Sequence, residues 1–179
     1  MICYKGFNKD LACTMGTGTF HYEVGKRYTE DKAQCVAAGF HVVEEPIEVL
    51  DWYSGNTARY CVVDIKGDVH EDGTGRLACT DITILKEISL QQLVALECKW
   101  MQDHPKREYN QRIKKDKGIA RDGYVIVRGR HPKASGAAGD IICLVQEDRA
   151  GYVTDIGIFL VDGKDIQPDT FYNVLGKEA

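Results

Sequence analysis

Two neighbouring runs of β-branched and aromatic residues constrain the fold of this 179-residue chain more than any other feature. Residues 58–66 (ARYCVVDIK) and 76–88 (RLACTDITILKEI) have the composition of β-strands, and the glycine-rich segment between them has that of a loop. In the second run apolar and polar residues alternate, which places Ile82 and Ile84 on one face. We expect the two runs to pair as the centre of an antiparallel or mixed sheet.

A helix is expected directly after this pair of strands. Ser89 and Gln92 form the capping-box pattern S-x-x-Q, in which each side chain can bond the backbone N–H of the other residue. Leu93, Leu96 and Trp100 then recur at helical spacing, which predicts an apolar face packed in the core. The residues after Ser89 therefore form the clearest helix of the sequence.

Further helices are predicted on weaker signals. A second central helix is expected over about 105–117, where Tyr109 and Ile113 are the only apolar pair. Shorter helices are expected from a cap at Thr29 or Asp31 through 35–38, before a glycine, and at 47–55, after a proline. The second central helix must then be mostly solvated or must dock on a partner.

Short strands are predicted on both sides of the helices. They are expected at 2–7, 19–24, 40–43, 123–129, 140–146, 153–163 and 170–175. The expected fold class is therefore α+β, with a mixed or antiparallel sheet, two central helices and a β-rich C-terminal lobe.

The length suits one domain that can bury a core. A composition near the globular average excludes a disordered tail, a collagen-like repeat and a coiled-coil rod. We predict a single domain over 1–179, divided into an α+β core at 1–104, a basic helical segment at 105–133 and a β-rich lobe at 134–179.

Positive charge is concentrated in one segment of a chain whose net charge is −4. Residues 99–133, called the basic island here, carry 11 basic and 4 acidic side chains. Such a segment suits a phosphate backbone or an acidic protein surface, and the alternative is a solvated helix whose cations pair with the acidic remainder of the chain. Its cations are Lys99, Lys106, Arg107, Arg112, Lys114, Lys115, Lys117, Arg121, Arg128, Arg130 and Lys133.

The seven cysteines do not show a disulfide or zinc pattern. Their number is odd, their spacing is wide and no CxxC pair occurs. Cys61, Cys79, Cys98 and Cys143 lie in apolar runs, where a free thiol behaves as a small hydrophobic side chain. We expect these four to be buried free thiols, and we predict no bound metal and no cofactor.

Two histidines next to aromatic residues give the alternative of an enzyme. His21 and His41 lie in predicted strands, and if these strands are neighbours, both rings can face one cleft together with Tyr22. Such a cleft would suit general acid–base work on NAD or a nucleotide. The simpler interpretation is that these histidines are hydrogen-bonded in a sheet. No GxSxG elbow or phosphate-binding glycine loop occurs, so we favour a protein without enzymatic activity.

The sequence lacks the features of a secreted or membrane protein. The N-terminal residues MICYKGFNKD contain no apolar signal core. The apolar stretches are much shorter than the roughly 18 residues of a membrane helix. We therefore expect a cytoplasmic protein, in the host cell if the gene is carried by a phage.

Motifs near both ends of the chain resemble an uncharacterised family associated with phages and gut bacteria. The matching pieces are Tyr4-Lys5-Gly6-Phe7, Tyr22-Glu23-Val24-Gly25-Lys26, Tyr28, Cys35, Gly39-Phe40-His41, Pro46, Trp52-Tyr53, Val161-Asp162-Gly163-Lys164 and Pro168-Asp169-Thr170-Phe171-Tyr172. The resemblance implies an accessory protein of a mobile element and no particular reaction. Relatives often carry Ala/Ser/Gly/Asp repeats before the C-terminal strands, of which only residues 134–140 remain here.

The leading hypothesis is a small non-enzymatic binding protein of a phage or mobile element. Its basic island would engage a nucleic acid or a nucleic-acid-binding host protein, as an inhibitor of a host defence system would (anti-CRISPR-like). One alternative is the enzyme acting through His21, Tyr22 and His41. Another is a structural phage protein that forms homo-oligomers.

Overall fold

Paired strands dominate the fold. The structure is a computed structural model that describes residues 1–14, 18–105, 108 and 110–179. Strands account for 48% of it and helices for 12%, so the predicted α+β class with two central helices is wrong and the fold is β-rich. The chain divides into two compact units, unit 1 at Met1–Leu93 and unit 2 at Val94–Ala179. The single-domain organisation stays a prediction.

The described residues of unit 1 form seven strands and one short helical segment. The segment is a 3₁₀ turn at Pro46–Glu48 followed by α1 (Val49–Trp52), near the helix predicted at 47–55. The strands are β1 (Ile2–Phe7), β2 (Ala12–Cys13), β3 (Phe20–His21), β4 (Arg27–Thr29), β5 (Phe40–Val43), β6 (Arg59–Glu71) and β7 (Arg76–Ile88).

The predicted central pair forms as the antiparallel strands β6 and β7. β7 has the predicted bounds, and β6 extends to Glu71, five residues beyond the predicted end. β7 also pairs with β5, β5 pairs with β1 through Tyr4 and Val43, and β1 pairs with β6. The pairings β7–β5–β1–β6–β7 thus close a ring, which leaves these strands few open edges.

The core of unit 1 fills this ring. Phe7, Val63, Ile82 and Ile84 are completely buried, as the alternation in β7 predicts for the two isoleucines. The short helix expected at 35–38 is wrong, since a turn closed by a Gln34–Ala38 bridge occupies these residues.

The helix expected after Ser89 is α2 (Leu90–Asp103), and its capping box is confirmed. The Ser89 N–H donates to Gln92 Oε1 at 3.0 Å, and the Gln92 N–H donates to Ser89 Oγ at 3.2 Å. Leu93 and Trp100 of the predicted stripe are buried, and Leu96 is half-buried. In the described part of the chain, no helix is long and apolar enough to cross a membrane.

In the part of unit 2 that the structure describes, five strands follow α2. They are β8 (Ile113–Ile119), β9 (Tyr124–Ser135), β10 (Ile141–Glu147), β11 (Val153–Leu160) and β12 (Tyr172–Asn173). The second central helix expected at 105–117 is therefore wrong, although Lys106, Arg107 and Tyr109 lie outside the described residues. A helix here would lack an apolar face to bury, whereas a strand needs only a partner for its backbone.

Strands β8, β9 and β10 pair in parallel, each with the next along the chain. Parallel neighbours normally need a crossover of a dozen or more residues, yet only residues 120–123 and 136–140 connect these strands. These short connections are sufficient because the strands bend. Asp116, with φ +60°, interrupts β8 between its two stretches of pairing with β9. Strands β8 to β10 thus form a short parallel coil, and β11 and β12 join it by antiparallel pairing with β10 and β9. The core of unit 2 includes Val127, Ile142 and Leu144.

Cys98 of α2 and Cys143 of β10 form a disulfide, so the expectation of free thiols is wrong for these two. Cys61 and Cys79 are buried and free, as expected. The sequence did not predict this pairing, because the two cysteines are 45 residues apart and neither has another cysteine near it in the chain.

The disulfide predicts the number of thiols that react in the unfolded protein. Unfolded in urea without reductant, the chain should show five reactive thiols in a chromogenic thiol assay. After reduction and removal of the reductant, the number should rise to seven. Seven thiols before reduction would contradict the pairing of Cys98 with Cys143.

Candidate functional site

A pocket of about 600 Å³ in unit 1 is the candidate functional site. This volume lies within the range of sites for small molecules. Most of its larger lining side chains are aromatic, and we call it the aromatic pocket. The rings that line it belong to Tyr4, Phe20, Tyr22, Phe40, Trp52 and Tyr53.

The structure brings two of the three predicted cleft residues into this pocket. Tyr22 and His41 line it, whereas His21 is exposed and does not. The predicted neighbourhood of the two histidine strands does not form, because β3 pairs with β2 rather than with β5. His21 therefore lies opposite Ala12 in a separate two-stranded ribbon.

The rings pack in edge-to-face and tilted arrangements on one side of the pocket. The ring centroid of Tyr22 lies 4.7 Å from that of Phe20, 5.2 Å from that of Tyr28 and 6.2 Å from that of Phe40. Such geometries are favourable for aromatic pairs. Burial raises the pKa of the Tyr22 phenol far above its ordinary value, so Tyr22 stays neutral.

Lys5 is a buried cation that lines the pocket. Strand alternation places it on the inner face of β1 with Cys3 and Phe7, and it is 6% exposed. Its Nζ donates to the carbonyl of His41 at 2.6 Å and lies 5.5 Å from the ring centroids of Phe7 and Tyr22. Among the described residues, no carboxylate forms an ion pair with it.

A second cation, Arg76, lines the pocket beside Trp52. Its guanidinium carbon lies 4.9 Å from the Trp52 ring, and it forms an ion pair with Asp72. The hydrogen bond from Arg76, together with that from Thr74, holds the pKa of Asp72 well below its usual range. Among the described residues that line the pocket, the one carboxylate is that of Glu30, which is exposed to solvent. Asp72 neutralises Arg76, so the charge that favours an anion in the pocket is that of Lys5, which has no carboxylate partner among the described residues.

His41 has a structural role in the pocket wall. Its Nε2 accepts a hydrogen bond from the Val36 N–H at 2.9 Å, which requires that this nitrogen carries no proton. Burial, with smaller contributions from Lys5 and Arg76, lowers the pKa of His41. Val36 has a φ of +72°, which is unusual for a β-branched residue, and the bond from its N–H helps to hold the turn in this conformation.

Several pocket residues were not predicted from the sequence. Lys5 was in a predicted strand, and its alternation with Cys3 and Phe7 was the signal that it faces the core. Trp52, Tyr53 and Arg76 carried no comparable signal, since chain segments distant in sequence bring them to the pocket. Gly6 admits Tyr53, because a Cβ at Gly6 would lie 2.7 Å from the Tyr53 side chain.

The basic island, in unit 2, includes cations with internal partners. Lys99 pairs with Asp103 on α2. Arg128 is 1% exposed, and its Nε donates to Glu147 at 2.8 Å while its Nη2 donates to the carbonyls of Pro105 and Gly151. Arg128 therefore contributes to the interior and not to an exposed basic face.

The other described cations of the basic island lie nearer the surface. Arg112 and Lys133 are half-buried, and Lys106 and Arg107 lie outside the described residues. The exposed ones are Lys114, Lys115, Lys117, Arg121 and Arg130. In the part of the chain that the structure describes, no group of three or more His, Cys, Asp or Glu side chains is arranged to hold a metal ion.

The pH dependence of stability tests the neutral state of His41. Its pKa is lowered in the folded protein, so acidification protonates the unfolded chain first and folding loses stability as the pH falls below about 6.5. His41→Gln should therefore lose less stability than the wild type between pH 7.5 and 5, by urea unfolding. His21→Gln is the control, and equal pH slopes for His41→Gln and the wild type would contradict the role.

The cost of burying Lys5 gives a second prediction. Lys5→Met should raise the free energy of unfolding of the ligand-free protein by about 1 kcal/mol, since it removes a desolvated ammonium from the core. Urea unfolding measures the change. Lys66→Met, at an exposed lysine of β6, is the matched control and should not stabilise the protein. A loss of stability in Lys5→Met would contradict the prediction that burial of this ammonium is costly.

Residues 1–96 match the model of a family described as Domain of unknown function (DUF7666). No curated protein and no solved structure matches the chain. The match includes every residue that lines the aromatic pocket, whereas the motifs at 161–172 lie outside it. The match covers more than half of the chain, which therefore belongs to this family. The resemblance to an uncharacterised family is thereby confirmed, and a phage origin stays a prediction.

Proposed function

We propose that unit 1 of this DUF7666 member binds, in the aromatic pocket, a small anionic ligand that carries a planar ring. The observation that carries the proposal is Lys5, a buried cation beside a cavity of about 600 Å³ with no carboxylate paired to it in the described chain. A nucleotide has the required chemistry, and nucleotide binding is one of the alternatives that the sequence left open.

Burying an ammonium without a carboxylate partner costs free energy, which other interactions must offset. The carbonyl of His41 accepts one of the three N–H donors of Lys5. The rings of Phe7 and Tyr22, at 5.5 Å, offset part of the remaining cost through cation–π attraction. A phosphate or carboxylate of a ligand would supply the missing countercharge and accept a further N–H of Lys5.

The aromatic side chains supply the second part of the recognition. Phe20 is 42% exposed and Trp52 is 40% exposed, so each offers ring surface to a ligand in the pocket. Stacking on such rings suits a planar heterocycle. Arg76, positioned by Trp52 and Asp72, adds a guanidinium that suits phosphate or carboxylate oxygens.

The geometry supports binding more strongly than it supports a reaction. His41 uses its Nε2 to hold the turn, so we assign it no proton-transfer step. The sequence-based hypothesis of a mobile-element inhibitor, and that of a structural phage protein, stay predictions.

A set of related nucleotides tests the proposal by titration calorimetry. AMP, ATP and NAD are tested against adenosine, which has the ring without the charge, and against ribose 5-phosphate, which has the charge without the ring. We expect at least one nucleotide to bind at least 10-fold more tightly than adenosine and than ribose 5-phosphate. Quenching of Trp52 fluorescence, absent in Trp52→Phe, would locate the ligand in the pocket.

Lys5→Met should weaken the binding of that nucleotide at least 10-fold, while Lys66→Met should bind like the wild type. Far-ultraviolet circular dichroism and urea unfolding establish that both variants are folded. Binding that does not distinguish the nucleotide from adenosine, or that survives Lys5→Met unchanged, would contradict the proposal. Failure of all five compounds to bind would contradict the nucleotide as the ligand class.

A further inference from the structure

We infer that strands β8 and β9 of unit 2 carry a second, independent site: a surface that binds the phosphate backbone of a nucleic acid. This inference does not rest on the aromatic pocket. Its residues, called the strand cations, are Lys114, Lys115, Lys117, Arg130 and Lys133 on the two strands and Arg121 in the connection between them.

The register of the parallel coil places like charges side by side. Lys117 of β8 lies directly opposite Lys133 of β9, and residues paired in register point to the same face of a sheet. Like charges directly opposite each other in a sheet are destabilising. The Lys117–Lys133 pair therefore costs stability in the free protein, and a bound anion would remove that cost.

The strand cations differ from the other cations of the same unit in their partners. Lys99 and Arg128 form ion pairs with carboxylates. Among the described residues, none of the strand cations does so, although Asp116 lies within β8 itself. The simple explanation from sequence, that basic residues are neutralised by the acidic remainder of the chain, is therefore not realised at these positions.

Protection of a sheet edge explains only some of these residues. In the described part of unit 2, β8 pairs with β9 alone, and lysines on an edge strand prevent pairing with other chains. This reason does not apply to β9, which lies between β8 and β10 and also pairs with β12. Arg130 and Lys133 lie on this interior strand and need another explanation.

Lys117 is held in place by a neighbouring ring. Its Nζ lies 4.2 Å from the ring centroid of Phe171, within the range of a cation–π contact. The contact orders a long side chain without neutralising its charge. An ammonium that is already ordered loses less entropy when a phosphate binds.

The chemistry of this surface favours a nucleic acid over an acidic protein. Stable protein interfaces are centred on buried aromatic or aliphatic anchors. The strand cations form a set of charges without such a centre, and the large exposed apolar residue on β8 is Ile119, at the end of the strand. Phosphate contacts need cations alone and give binding that is independent of sequence and sensitive to salt.

Fluorescence anisotropy with labelled 20-residue single- and double-stranded DNA and RNA tests this inference at 50 and 200 mM salt. We expect micromolar or tighter binding of at least one of these at 50 mM salt and a loss of at least 10-fold at 200 mM. No binding of any of them at 50 mM salt would overturn the inference, and an acidic protein partner would then be the remaining explanation of the surface.

The double variant Lys117→Glu with Lys133→Glu should weaken binding at least 10-fold and reduce the slope of log affinity against log salt by about 1 to 2. The control Arg149→Glu with Lys164→Glu makes the same change of charge in loops of unit 2 and should retain more than a third of the affinity. Equal losses in both double variants would overturn the site and indicate attraction by net charge alone.

Two further measurements keep this inference separate from the pocket and from misfolding. Lys5→Met should bind nucleic acid like the wild type, so failure of either proposal leaves the other intact. If the double glutamate variant unfolds, the neutral pair Lys117→Gln with Lys133→Gln replaces it, and it should still weaken binding at least 3-fold. Unchanged affinity in that folded pair would overturn the role of the two lysines.

Discussion

Strand β7 is the element on which unit 1 depends, because it makes hydrogen bonds along both of its sides. One side pairs with β6, and the other pairs with β5 and then with β4. Its partner β6 shifts register between Lys66 and Val69, where Gly67 has a φ of +72° and a Cβ would lie 2.3 Å from Thr80 Oγ1. A bulge at this glycine bends the long hairpin, as closure of a small ring requires.

Features with a local cause were predictable from the sequence. The bounds of β7 follow from its composition and alternation, and the start of α2 follows from the reciprocal bonds of Ser89 and Gln92. The helix expected at 105–117 failed because its polar, charged residues show no clear period. Parallel pairing of β8 with β9, which no local pattern encodes, determines the structure of residues 113–119.

The candidate site likewise combines residues that local patterns predict with residues that only tertiary structure brings together. Tyr22 and His41 both line the aromatic pocket, although the strand neighbourhood from which the cleft was predicted does not form. Lys5 could have been found from the alternation of β1. The position expected for His21 was wrong because it depends on whether β3 pairs with β2 or with β5. The local sequence does not determine which of these strands is the partner. Trp52 and Arg76 meet because the ring closes, so their contact belongs to the tertiary structure alone.

The two units differ in how they can tolerate insertions during evolution. The ring of unit 1 is closed by pairings around its circumference, so an extra strand would have to break one of them. The coil of unit 2 ends at β8 in a strand that has one neighbour in the described chain. A duplication of one turn would add a strand whose backbone finds a partner in register, as in solenoid proteins. Length variation compatible with folding should therefore accumulate in the second half of the gene, in steps of about one turn.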